Sequence, residues 1–196
     1  MLIGLEKPDS GSIRILGQEI VGLQMDAMNE IRKKMGFVFQ QSALYDSLNV
    51  AENVGFPLRR HSTLTEGERE QRVRELLSNV GREGDLEKMP SEISGGMQKR
   101  VALARALALN PEVVLFDEPT TGLDPITASE IGNLIVDLQK QHHITSVVAT
   151  HDMHAAKKFA DRMVLLNEGI IRAEGKIEEL EQSNDEFVKQ YLQEAA

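Results

Sequence analysis

Residues that could do chemistry concentrate in one stretch of this 196-residue chain, Val113 to Asp124, which reads V-V-L-F-D-E-P-T-T-G-L-D. Four apolar residues, β-branched at the start, have the pattern of a strand buried on both faces, as in a parallel sheet. The strand ends in two adjacent carboxylates, Asp117 and Glu118, and Pro119 cannot continue its ladder of hydrogen bonds. Ligands of open α/β sheets bind beyond the carboxyl ends of the strands. An Asp at such an end can hold Mg²⁺ directly or through water, because that hard cation takes oxygen ligands and keeps several waters. Glu118, pointing elsewhere, can polarise a water molecule. A lone Asp-Glu pair equally suits a buried strand followed by a solvated acidic turn, so the surrounding elements must decide.

Two further apolar runs end in polar groups. Gly36-Phe37-Val38-Phe39 runs into Gln40, and Val147-Val148-Ala149-Thr150 runs into His151 and Asp152; both are expected to be buried strands. Upstream of the acidic pair, Ser94-Gly95-Gly96-Met97-Gln98-Lys99-Arg100 opens a helix that continues through Leu107. Ser94 can cap that helix, the glycines let backbone N–H groups approach a ligand closely, and the helix dipole adds partial positive charge at the tip. Further upstream, Thr65 with Glu68 makes a capping box for a helix over Thr65 to Val80, with Val73, Leu76, Leu77 and Val80 on its apolar face. Residues 42–58 read as a loop and a short helix ending at Pro57. Pro125 to Gln141 is a helix with Ile131, Leu134, Ile135 and Leu138 inward, and Met163 to Arg172 is a strand–turn–strand hairpin.

In this order and on these elements, the motifs resemble the nucleotide-binding domain of an ATP-binding-cassette (ABC) transporter, over essentially the whole chain. The resemblance implies a P-loop NTPase-like α/β fold with a mostly parallel core sheet, a small antiparallel sheet and an inserted helical subdomain at residues 43–109. Residues 1–196 would be a single domain. The implied cofactors are ATP and Mg²⁺. The resemblance makes Glu118 the residue that orients or deprotonates the attacking water. Asp117 and Gln40 become metal-associated groups, and His151 the switch histidine that contacts the γ-phosphate and orients Glu118. Ser94, Gly95, Gly96 and Met97 then form the signature, which with Asp124 acts on nucleotide bound by an opposite chain in a head-to-tail dimer. A fifth signature residue of Gln is the common form, and Met97 departs from it. The S-G-G-M form, together with Leu44 to Leu48, Glu52 to Leu58 and Asp185 to Leu192, is similar to the subgroup serving Mce-type lipid transporters of bacterial envelopes.

The largest departure is that the phosphate-cradling pattern G-x-x-x-x-G-K-[ST] occurs nowhere in the 196 residues. Leu2 to Leu5, running into Lys7-Pro8-Asp9-Ser10-Gly11, reads as the end of a helix that would carry this loop. The expectation is an ABC ATPase whose N-terminal strands and P-loop are absent, with little or no turnover alone. The alternative is a non-catalytic subunit lending only its signature to a composite site.

Composition bounds the rest. With 41% hydrophobic and 27% charged residues the chain is of ordinary globular composition, and a net charge of −9 disfavours coating a nucleic acid. There is no cysteine, so neither disulfides nor thiol chemistry. No apolar run approaches the ~20 residues a membrane helix needs, and the first residues lack a secretory pattern. These features suggest a cytoplasmic protein, and the resemblance implies a place at the cytoplasmic face of the inner membrane, held there by other chains. Implied partners are transmembrane permease subunits, a second ATPase subunit and an Mce-type substrate-binding protein. Leu44, Tyr45, Leu48 and Val50 are either core or a docking surface for a partner. His151, Asp152 and His154 have poor spacing for metal ligation, and His142-His143 reads as compensation of a helix dipole or a solvated face.

Overall fold

The computed structural model describes residues 1–194. The opening residues form a turn rather than a helix end, with the Gly4 N–H donating to the Met1 carbonyl at 2.8 Å. Gly4 has φ +65°, and Arg32 holds the turn through the Ile3 carbonyl at 2.9 Å. Strands β1 (Arg14–Ile15) and β2 (Gln18–Glu19) form a short antiparallel hairpin. Its connecting residues Leu16 and Gly17 both have positive φ, the conformation that matches the twist of the flanking strands. Helix α1 (Met25–Lys33) then buries Met28 and Ile31 beside Ile20 in a small core of its own.

The chain continues into β3 (Met35–Val38), α2 (Val50–His61), α3 (Glu66–Asn79) and α4 (Gly95–Ala106). It returns through β4 (Val113–Asp117), α5 (Pro125–His142) and β5 (Thr145–Ala149). Strands β3, β4 and β5 are parallel neighbours in that order. Their register pairs Val38 with Phe116 and Asp117 with Ala149, so the three carboxyl ends lie side by side. Val113 to Phe116 of the central strand are all buried, as the apolar run requires. The expectation of burial on both faces fails for β5, where exposure alternates and Val147 is 47% exposed. Among the described residues β5 pairs with β4 alone, and an edge strand lacks the second neighbour that closes both faces of a central one.

Helices α2, α3 and α4 pack on the sheet in one continuous core. Val50, Val54, Leu76, Leu77 and Val101 are fully buried there alongside Val38, Val114 and Phe116. The capping box of Thr65 with Glu68 forms as expected. Helix α2, however, does not end at Pro57 but runs on to His61. Proline removes one helical N–H bond, yet Val50, Val54 and Leu58 on the buried face hold the helix together across it. Val50 is core, Leu44 and Leu48 are half-buried, and Tyr45 is 46% exposed with its ring against Phe56. In α5, Ile131, Ile135 and Leu138 face inward, with Leu134 half-buried.

The final segment has its own core. Helix α6 (Met153–Phe159) leads to the antiparallel hairpin of β6 (Met163–Asn167) and β7 (Ile170–Gly175), followed by α7 (Ile177–Glu181) and α8 (Glu186–Glu194). Met153, Met163, Leu165, Leu180, Val188 and Leu192 are buried together. Asp185 starts α8 by accepting from the N–H of Phe187 at 2.9 Å.

Candidate functional site

Three strand ends build the site. Gln40 lies two residues beyond β3, Asp117 closes β4 with Glu118 directly after it, and His151 lies two residues beyond β5. Because the strands are parallel and in register, the structure brings these residues to one edge of the sheet. Gln40 and Asp117 are exposed there, while Glu118 is half-buried.

Glu118 is the most constrained of them. Its backbone has φ +46°, a left-handed conformation uncommon for a residue with a side chain. The conformation is held because its N–H donates to the Ala149 carbonyl at 2.9 Å, extending the β4–β5 ladder one residue past β4. One carboxylate oxygen accepts from the His151 N–H at 3.0 Å and lies 2.7 Å from His151 Nδ1. The other accepts from the hydroxyls of Thr121 at 3.0 Å and Thr150 at 3.1 Å. Burial pushes this carboxyl up, but the bonds from His151, Thr121 and Thr150 outweigh it and hold it below the usual carboxylate range. The same pair bond, with the negative charge of Glu118, holds His151 above the ordinary imidazole value. A carboxylate fixed in its ionised form, with an exposed imidazole beside it, is equipped to orient a water and to sense charge in front of it.

A second cluster sits at the start of α4. Ser94 is its N-cap, with Oγ accepting from the Met97 N–H at 3.3 Å. Gly95 is exposed, and Met97 is half-buried against the main core. Gly96 is needed for packing as well as for access, since a Cβ there would lie 2.6 Å from Thr127 Cγ2. Asp124 caps α5 with both oxygens. Oδ1 accepts from the N–H groups of Ile126 at 3.1 Å and Thr127 at 3.0 Å, and Oδ2 from the Thr127 hydroxyl at 2.6 Å. Those bonds, the hydroxyl first, keep the Asp124 carboxyl below its ordinary value. Signature and turn therefore meet where α4 and α5 begin.

Comparison with known proteins places the chain in a family. The sequence profile described as "ABC transporter" matches residues 1–121. The chain belongs to the ABC transporter family. The "Probable ribonucleotide transport ATP-binding protein mkl" of Mycobacterium leprae is 41% identical to it over 191 residues, 97% of this chain and 55% of that protein. The "Intermembrane phospholipid transport system ATP-binding protein MlaF" of Haemophilus influenzae is 42% identical over 185 residues, covering 94% of this chain and 70% of that one. The chain thus spans little more than half the length of the mkl relatives it matches, 53–55%. Among solved structures, a dimer of the ATP-binding cassette MJ0796 in a post-hydrolysis state bound to ADP and Pi superposes with a TM-score of 0.79. It is 38% identical, and the match covers 88% of this chain and 76% of that chain.

As an ABC cassette the molecule has the fold anticipated, a parallel core sheet with small antiparallel sheets and packed helices. Among the described residues no group of three or more His, Cys, Asp or Glu could hold a metal by itself. Asp117 offers one exposed carboxylate, which fits a Mg²⁺ that takes one or two protein carboxylates and completes its shell with phosphate oxygens and water. Among the described residues no helix is long and apolar enough to cross a membrane.

Several residues that shape the cassette site were not singled out from sequence. Thr121 and Thr150 lie inside the motifs but owe their role to the side chain of Glu118. Lys99 is buried and donates to the carbonyls of Gln40 and, at 3.3 Å, Glu118. Arg105 donates to the carbonyls of Ala43 at 2.7 Å and Ser42 at 2.6 Å, fixing the loop after Gln40. For Arg105 the available signal was a cation between Ala104 and Ala106 in an otherwise apolar helical stretch, whereas Lys99, between Gln98 and Arg100, carries none. The expectation for His142 is corrected. Its imidazole is half-buried, and burial, with Arg72 beside it, pushes it below the ordinary value, which suits a neutral ring rather than one compensating a helix dipole.

Proposed function

We propose that this cassette is the ATP-binding and ATP-hydrolysing subunit of an envelope transporter that moves lipid, of the Mce/Mla type. The observation that carries the reading is the Glu118 carboxylate, held ionised by His151, Thr121 and Thr150 at a strand end next to Asp117. With ATP bound, Asp117 and Gln40 are the groups of this chain that would hold a Mg²⁺, which would supply charge neutralisation at the phosphates. Glu118 takes or aligns the proton of the attacking water, while His151 senses the γ-phosphate and keeps Glu118 oriented. Ser94 to Met97, with the turn before Asp124, serves the nucleotide of the opposite subunit in a head-to-tail dimer, and residues 43–109 form the helical subdomain that presents them. The likeness to MlaF supports lipid as cargo and a location at the inner membrane, with permease subunits and an Mce-type protein as partners.

A second reading rests on a specific observation: the Ser94 tip is intact, whereas no G-x-x-x-x-G-K-[ST] pattern occurs in these residues. On that reading the chain contributes its signature to a site whose phosphate cradle comes from another subunit. Affinity purification of this chain with its membrane assembly decides between the two. The first reading expects ATP hydrolysis and co-purifying phospholipid, with hydrolysis lost in Glu118→Gln. Hydrolysis that survives Glu118→Gln but is lost in a signature variant would favour the second. Hydrolysis indifferent to both would overturn each.

A further inference from the structure

Lys99 is unused by either reading, and its position is unusual. It is 4% exposed, and buried lysines are rare unless their ammonium is fully engaged. It occupies the fifth position of α4, barely more than one turn from the Ser94 cap. Its ammonium reaches across to the main chain of two different strand ends, donating to the carbonyl of Gln40 and to that of Glu118. The partners lie 59 and 19 residues away in sequence, so the contact stitches together segments that share no local geometry. Both carbonyls belong to stretches with costly backbones. Glu118 itself has φ +46°, and Gln40 precedes Ser42 and Ala43 at +62° and +45°. Burial pushes Lys99 down, while the charges of Asp117 and Glu118 oppose that by favouring the ammonium.

We propose that Lys99 is a positioning residue. It binds the signature helix to the backbone of Gln40 and Glu118 and so links the surface offered to a neighbouring subunit with the site this chain builds for itself. The roles of those three elements rest on the ATPase reading, but the tie is a property of the folded chain without nucleotide. A methyl-terminated stem in place of the ammonium leaves the Gln40 carbonyl without its buried donor and the Glu118 carbonyl with the Thr121 N–H alone, at 3.3 Å, and frees the two strained stretches to open. Helix α4, whose Val101, Ala102 and Ala104 are fully buried, stays in place.

Hydrogen exchange of the 196-residue chain without ATP, in the wild type, Lys99→Met and Lys99→Arg, tests this. The informative amides are Ser42, Ala43, Glu118 and Thr121, each hydrogen-bonded in the folded chain. Lys99→Met is expected to speed their exchange about tenfold, with β6, β7 and α8 unchanged. Lys99→Arg, which keeps charge and donors, is expected to recover most of the protection. If Lys99→Met does not fold, Lys99→Gln takes its place in the same comparison. Unchanged exchange at these amides, a uniform rise across the chain, or no recovery with arginine would overturn the proposal. Any of these leaves the ATPase reading intact, because that reading is tested by hydrolysis in the purified assembly.

Discussion

Asn53→Ala tests how the loop behind Gln40 is held. Asn53 lies on α2 with no exposed surface. Its Oδ1 accepts from the Tyr45 N–H at 2.7 Å. Its Nδ2 faces the carbonyls of Tyr45 at 3.1 Å, Leu48 at 2.9 Å and Asn49 at 3.0 Å. Two of those carbonyls keep a partner after truncation: Tyr45 accepts from the Leu48 N–H at 3.1 Å, and Asn49 from the Asn53 N–H at 2.9 Å. The Tyr45 N–H and the Leu48 carbonyl lose the bonds that Asn53 gave them. Both groups are part-buried, and a group left unpaired costs about 1–3 kcal/mol when water cannot replace its partner, so the substitution is expected to cost roughly 3 kcal/mol in total. For a chain of this size that lowers the melting temperature by about 10 °C.

The same geometry fixes the behaviour of Asn53→Asp. The acceptor oxygen is kept, but the second oxygen faces three carbonyls, which raises the pKa of the introduced carboxyl in the folded state above its unfolded value. Stability of that variant is therefore greatest below the unfolded value of about 3.9 and is lost as pH rises through the folded one. Urea unfolding of both variants and the wild type at pH 5 and pH 8 makes the comparison. A loss below about 1 kcal/mol for Asn53→Ala, or no pH dependence specific to Asn53→Asp, would refute the accounting of unpaired groups.

Gly96→Ala is expected to destabilise by about 1–3 kcal/mol through contact with Thr127, and adding Thr127→Ser should recover part of it by removing Cγ2 while keeping the hydroxyl bond to Asp124; denaturant midpoints of the three chains check this. Glu118→Gln should return the His151 imidazole toward its ordinary value, read by NMR titration. In the wild type the raised imidazole stabilises fully below about pH 6.5 and loses this as pH rises through its folded value, whereas the lowered Glu118 stabilises above the ordinary carboxylate pKa and loses this in acid. The pair is at its strongest between those limits. For His142 the sign reverses: its depressed folded value means that stability is present above about pH 6.5 and falls as acid forces a proton onto the ring, so His142→Gln should flatten the loss of stability between pH 7 and pH 5.

What could be read in the sequence follows from how local each cause is. The strand carrying Asp117 and Glu118 announces itself, because an apolar run stopped by charge and proline has few other readings. Ser94 and Thr65 are legible as caps for the same reason: the bonds they make reach only to the third residue after them. Edge status is not local, and so Val147, identical in type to the buried Val113 and Val114 of β4, carries no mark of its exposed face. Nor is the continuation of α2 through Pro57, which depends on burial supplied by α3 and α4. Lys99 and Asn53 are the sharper cases, since a charge and an amide on helices ordinarily read as solvated surface; Lys99 is made interior by partners from distant segments, and Asn53 by a preceding loop that folds back over it in a way no periodicity announces. Asp124 runs the other way. The sequence D-P-I-T is itself a helix start, with aspartate as cap and proline first, so its capping role was present in the local pattern. With both oxygens engaged at the start of α5, contact across the proposed dimer would fall to the main chain around Gly122 and Leu123 while the cap stays closed. The side chain can serve a neighbouring nucleotide only by giving up bonds that start its own helix.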